Sequence, residues 1–256
     1  MLLVGLLTSF VSAITGVGAQ AAAAPMIEFL LGFNAERTKG TAIAFTLFAS
    51  SAAAFGAIYS GVHVEFSEAF LVAIGAFVGA VITVKASLDP NLKSLRRFGQ
   101  GIGILLTLYI ITEAFKHRAG GPQTLILGSL SDSRALLALS IGLFSGSLSQ
   151  LFHVASGIFL FPALMYTRGH SLHPITEAVA ISLTVIALAS FLPAIAHSTR
   201  KAVDQSIGPY MVAGGVIGGF LGGMLLGHLA IGSVVPLIMF GLVGMYLCSL
   251  TLYRMN

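Results

Sequence analysis

Two short stretches carry the residues best suited to chemistry. The first holds Thr15, Gly16, Gly18, Ala19 and Gln20; the second holds Gln150, His153, Ala155, Ser156 and Gly157. Glycine and alanine let a ligand come close to main-chain N–H groups. Gln20 and Gln150 each add two N–H donors and Ser156 a hydroxyl. No lysine or arginine occurs within 1–33 or 135–167. A donor-rich, cation-free patch suits an anion held by the N-terminus of a helix, where up to four N–H groups are free and about half a positive charge is felt. The competing explanation is that small residues there simply allow close helix packing. His153 and Glu28 are the ionisable groups of these two segments. A histidine at membrane depth could add charge or carry a coupling proton; the plainer alternative is a neutral imidazole bonded to a neighbouring carbonyl.

Enzyme signatures are weak. His170 and His173 have metal-like spacing, but no cysteine or carboxylate cluster accompanies them. There is no HExxH, no P-loop and no Gly-x-Ser-x-Gly. No catalytic residue, metal or other cofactor is expected.

The elements that must position these residues follow from composition. Of 256 residues, 56% are hydrophobic and 9% charged, against roughly 25% charged in soluble chains. Mean hydropathy is +0.96. Twenty-two charged side chains, 13 basic and 9 acidic, cannot cover a globule of this size. Disorder needs low hydrophobicity, and one cysteine, Cys248, excludes a disulfide scaffold. The fold class is therefore all-α, a polytopic helical membrane protein whose partner is the lipid bilayer. The basic balance marks loops rather than a nucleic-acid surface. A span needs roughly 20 apolar residues. Uncharged runs cover 40–64, 69–84, 98–112, 135–167, 178–199 and 205–253, the last long enough for two helices hinged near Gly227 to Ser233. The start resembles a signal peptide but has no basic leader, and the chain repeats it later.

That repeat is the organising feature. With Pro25 over Pro162, Gly5 falls on Gly142, Ser12 on Ser149 and Gly32 on Gly169. One residue further on, Thr38 to Thr46 lies over Thr176 to Thr184; two further still, Gly75 and Gly79 lie over Gly215 and Gly219. The expected units are 1–116 and 134–256, joined by a loop, 117–133. Each would hold a broken first segment and three transmembrane helices.

Charge decides the topology. If each long first segment crosses once, one face holds Arg37, Lys39, Lys85, Lys93, Arg96, Arg97 and Arg168, and the other Lys116, Arg118, Arg134, Arg200, Lys201 and Arg254. That is no bias. If each dips in and returns, Arg200, Lys201 and Arg254 join the first face and Arg168 joins the second. The first face then dominates, as the positive-inside rule requires, and the halves are inverted, the common plan of secondary transporters. Length agrees, since a straight 33-residue helix would be roughly 50 Å long. Visible breaks are Thr15 to Gly18 and His153 to Gly157. A kinked full span is the alternative.

The arrangement resembles the TauE/SafE-type sulfite and sulfonate exporter family. The residues that carry the resemblance are Gly16-Val-Gly18 with Pro25 seven residues on, Thr38-Lys-Gly-Thr, and Gly75-Ala-Phe-Val-Gly79 ahead of Lys93-Ser-Leu-Arg96-Arg97, with a degraded second copy around Ser145-Gly146 and Pro162. The resemblance implies secondary transport of a small sulfur-containing or carboxylate-type anion across the cytoplasmic (inner) membrane. One departure bears on which anion fits: Ala19-Gln20 stands where the family's glycine run usually continues. The expected partners are a small anionic substrate and a coupling proton or cation, with homo-oligomerisation left open. An anion channel, a carboxylate carrier and an accessory subunit without transport of its own are the rival functions.

Overall fold

The computed structural model describes residues 1–87, 93–118, 134–152, 156–167, 174–229 and 235–255. Among these there are ten helices and no strands: α1 (Leu2–Thr15), α2 (Gln20–Leu31), α3 (Ala35–Tyr59), α4 (Phe66–Ser87), α5 (Lys93–Arg118), α6 (Arg134–Phe152), α7 (Ser156–Thr167), α8 (Pro174–Thr199), α9 (Gly208–His228) and α10 (Val235–Met255). Four helical stretches are long and apolar enough to cross a bilayer: Glu36–Tyr59, Phe66–Thr83, Ile175–Thr199 and Gly208–His228. Exposed aliphatic side chains such as Ile74, Val78 and Ile82 on α4 and Ile217 and Leu221 on α9 form the kind of surface that lipid, not water, covers.

The first segment is broken where the sequence suggests. Gly16 ends α1 with φ +71°, and its N–H donates to the Ser12 carbonyl at 2.8 Å, a left-handed cap that glycine adopts without penalty. Gly18, with φ +100°, completes the turn. Gly32 ends α2 in the same way, and the Asn34 side chain accepts the Arg37 N–H to start α3. At 14 and 12 residues, α1 and α2 are about 21 and 18 Å long, too short to cross. Met1 and Val4 pack in the same cluster as Leu31, Phe33, Ile207 and Met211. Both ends of the segment therefore lie at one end of the molecule, and residues 1–33 form a hairpin.

Helix directions follow from paired residues. Leu2, Leu6 and Phe10 of α1 lie against Gly214, Gly218 and Gly222 of α9, so the two run parallel. Phe45, Ala49 and Ala53 of α3 lie against Gly215, Gly219 and Gly223, so α3 is parallel to α9 as well. The six-residue link 60–65 leads from α3 into α4. Val72 and Ala76 of α4 lie against Gly142 and Gly146 of α6, again parallel. At all of these glycines but Gly215, which faces the Phe45 ring, a Cβ would collide with the facing main chain, the close backbone approach that drives helix association in lipid. Beyond α8, Ala202 meets Gly40 and the Asp204 N–H donates to Thr41 Oγ1 at 2.9 Å. The end of α8 thus stands level with the start of α3, and the two helices run in opposite directions.

Candidate functional site

The turn between α1 and α2 sits deep in the bundle. Residues from Ala13 to Ala19 are all buried. Ala19 and Ala23 pack in one cluster with Ala42, Phe45 and Ala49, near the middle of α3. On the other side stands α8. Its Ser182 hydroxyl donates to the Gly16 carbonyl at 2.9 Å, and Ile186 fills the space over Gly18. Within the turn, the Val17 N–H reaches Thr15 Oγ1 at 3.4 Å, and Thr15 Oγ1 reaches back to the Ser12 carbonyl, also at 3.4 Å. The Ala21 N–H turns back to the Gly18 carbonyl at 3.2 Å and the Ala23 N–H to Ala19 at 3.0 Å. Of the N–H groups that open α2, those of Ala21 and Ala23 are thus taken up by the turn, and the start of the helix is wedged between α3 and α8 with no charged side chain in the turn.

The start of α7 meets this turn. A Cβ on Gly157 would collide with the Gly16 and Val17 carbonyls, so the start of α7 rests main chain to main chain on the α1–α2 turn. Ser156, half-buried, is the first residue of α7. The structure thus brings together Thr15, Gly16, Gly18, Ala19, Ser156 and Gly157, with Gln20 half-buried at the start of α2. Gln150 lies on the last turn of α6. His153 and Ala155 lie outside the described residues, as do His170 and His173.

Sequence reasoning missed a polar clasp at the outer end of this site. Arg37 pairs with Asp204, whose side chain is 0% exposed while that of Arg37 is 53% exposed. Asp204 Oδ1 also accepts the Ser206 and Ile207 N–H groups at 2.7 and 3.1 Å and the Ser206 hydroxyl, capping the start of α9. The hydroxyl of Ser206, opposed by burial but joined by these main-chain bonds and the Arg37 charge, holds the Asp204 carboxyl below its ordinary value. The signal in the sequence was a lone Asp four residues before a helix, Asp204-Gln-Ser-Ile-Gly208.

Residues 1–110 match the family model of the sulfite exporter TauE/SafE. The resemblance read from Gly16-Val-Gly18, Pro25 and Gly75 to Gly79 holds over that stretch, which spans the first hairpin, α3, α4 and most of α5. No curated protein matches the chain. TauE/SafE is a family of exporters rather than enzymes, and with the long apolar helices the match makes this chain a multi-pass membrane protein. The match includes the turn at Gly16 and ends before the second break.

Proposed function

We propose that this protein is a secondary carrier that moves a small sulfur oxyanion, sulfite or a sulfonate, across the cytoplasmic membrane by alternating access. The observation that carries the proposal is the buried turn that opens α2, set between α3 and α8 in a stretch that matches a sulfite exporter family. Amides at such a site attract negative charge without a buried cation, and broken helices at the midplane are how carriers of inverted halves hold anions. Helix directions support the inverted plan: α3 and α8, at matching places in the two halves, run in opposite directions. Arg37, Lys39, Arg200 and Lys201 flank one end of the bundle, which the positive-inside rule assigns to the cytoplasm. Gln20 and Ser156 border the turn, and His153 follows in the second break as a proton-carrying group.

The test is counterflow in proteoliposomes. Sulfite or methanesulfonate trapped inside should accelerate uptake of the labelled anion, with saturation. Flux that never saturates and shows no trans-stimulation would make the protein a channel, and no anion flux at all would reject transport. Gln20→Leu and His153→Leu should each weaken anion binding about tenfold and leave a monodisperse protein; unchanged affinity in both removes these side chains from the site.

A further inference from the structure

Among the described residues, twelve serines and threonines are buried, and nine of these have a hydrogen-bond partner. Some bond back to their own helix, as Thr8 does to Val4, Ser145 to Gly142, Thr107 to Ile104 and Thr184 to Ala180. Others bond across the bundle, as Ser9 does to Gly215 and Ser182 to Gly16. The three without a partner are Ser12, Thr46 and Ser50, only 6%, 1% and 1% exposed. A carbonyl one turn back is always within reach of a helical hydroxyl. These three rotate away from it, leaving a buried O–H donor unused, which costs free energy unless something accepts the bond.

Ser12 adjoins the turn at Gly16, and Thr46 and Ser50 lie on the helix packed beside that turn. Ser12 lies in the last turn of α1, and its own carbonyl accepts the N–H of Gly16. Thr46 and Ser50 are one turn apart at the middle of α3, in the stretch whose neighbours Phe45 and Ala49 pack with Ala19 and Ala23. Each is turned about 100° around the helix from the residue that meets α9, Phe45 or Ala49. That rotation carries the two hydroxyls off the α9 seam. The turn itself is wedged between α3 and α8.

We infer that Ser12, Thr46 and Ser50 are ligand-binding hydroxyls that, with the amides that open α2, form a cage of hydrogen-bond donors for an anion with three or more acceptor oxygens. This rests on the carrier reading above and sharpens it. Hydroxyls from α1 and α3 and amides from α2 approach from three helices, which suits the three oxygens of a sulfite or sulfonate head. A planar carboxylate presents only two oxygens and leaves one donor unmet.

The test uses the full chain in detergent, titrated with methanesulfonate, sulfite and acetate. Wild type should bind the two sulfur anions at least tenfold more tightly than acetate. Ser12→Ala, Thr46→Val and Ser50→Ala should each weaken methanesulfonate binding about tenfold, leave ligand-free Tm unchanged or raised, and narrow the preference over acetate. Thr46→Ser should retain affinity, and Thr107→Val, at a back-bonded hydroxyl on α5, should have no effect. If wild type binds methanesulfonate and all three variants bind it equally well, the cage is overturned while the carrier stands. If wild type binds none of the three anions, the carrier reading fails and the cage with it.

Discussion

The two sides of α9 and the two sides of α4 are built differently. Helix α9 carries glycine in doublets, Gly214-Gly215, Gly218-Gly219 and Gly222-Gly223. One member of each pair admits the main chain of α1 and the other admits α3. Helix α4 has single glycines, Gly75 and Gly79, and both serve α6. The neighbouring stripe on α4 is Ala76 and Ala80. The α1–α9 and α6–α4 seams are therefore alike, while α9 grips a second helix at backbone distance and α4 does not. The α3–α9 seam is also tied at its end by Arg37, Thr41 and Asp204. One wall of the site is clamped, and the wall formed by α8 is held by side chains such as Val179 and Ile186. In a carrier, the side-chain-held wall is the one that can move.

The sharpest way to break this comparison is to put bulk into each stripe. Gly219→Leu drives a side chain into the Ala49 carbonyl and Ser9 Oγ and should cost about 3 kcal/mol or more, seen as loss of monodisperse protein. Ala80→Leu, on the counterpart stripe, should cost clearly less in the same thermal scan. Equal damage would mean that the two seams are equally tight.

Next in size is the clasp. The folded carboxyl of Asp204 titrates below its ordinary value of 3.8. Its stabilisation is complete at pH above that value and is lost as pH falls through the lower folded pKa. Asp204→Asn should therefore lower stability at pH 7 by roughly 1–2 kcal/mol and flatten the acid limb of Tm against pH. Arg37→Gln, at a half-exposed partner, should have an effect of about 0.2–1 kcal/mol. A Tm profile shared by wild type and Asp204→Asn would remove the carboxylate from the clasp.

The smallest effect belongs to the pliable wall. Ser182→Ala deletes a single bond to the Gly16 carbonyl and should cost about 1 kcal/mol, while speeding exchange of labelled anion. Slower or unchanged exchange would argue that α8 is not the moving part.

Much of this fold is legible in the sequence because membranes impose strong rules. The runs between charges give the long helices, and Gly16, Gly18 and Gly32 mark the turns of the first hairpin through their backbone freedom. The distribution of Arg37, Lys39, Arg200 and Lys201 indicates that the loops before α3 and after α8 share a face, which the Arg37–Asp204 pair bears out. The register of the repeat is harder to read. Aligning Gly75 with Gly215 matches glycine to glycine, yet the packing equivalent of Gly75 is Gly214, since Gly75 meets Leu139 and Gly214 meets Leu2. Doublets make both registers look equally good, and only the facing helix distinguishes them. Ser50 and Asp204 were invisible for another reason. Nothing local separates a serine that bonds back to its helix from one that does not, or a capping aspartate from one that also receives an arginine distant in sequence.

The main-chain contact between Gly157 and the carbonyls of Gly16 and Val17 has a mechanical consequence. With no side chain interposed, neither the start of α7 nor the α1–α2 turn can shift at this point without pressing on the other. A displacement of either element is thereby relayed by rigid peptide groups rather than by replaceable contacts. Side chains around this pivot can diverge while the pivot itself stays the same.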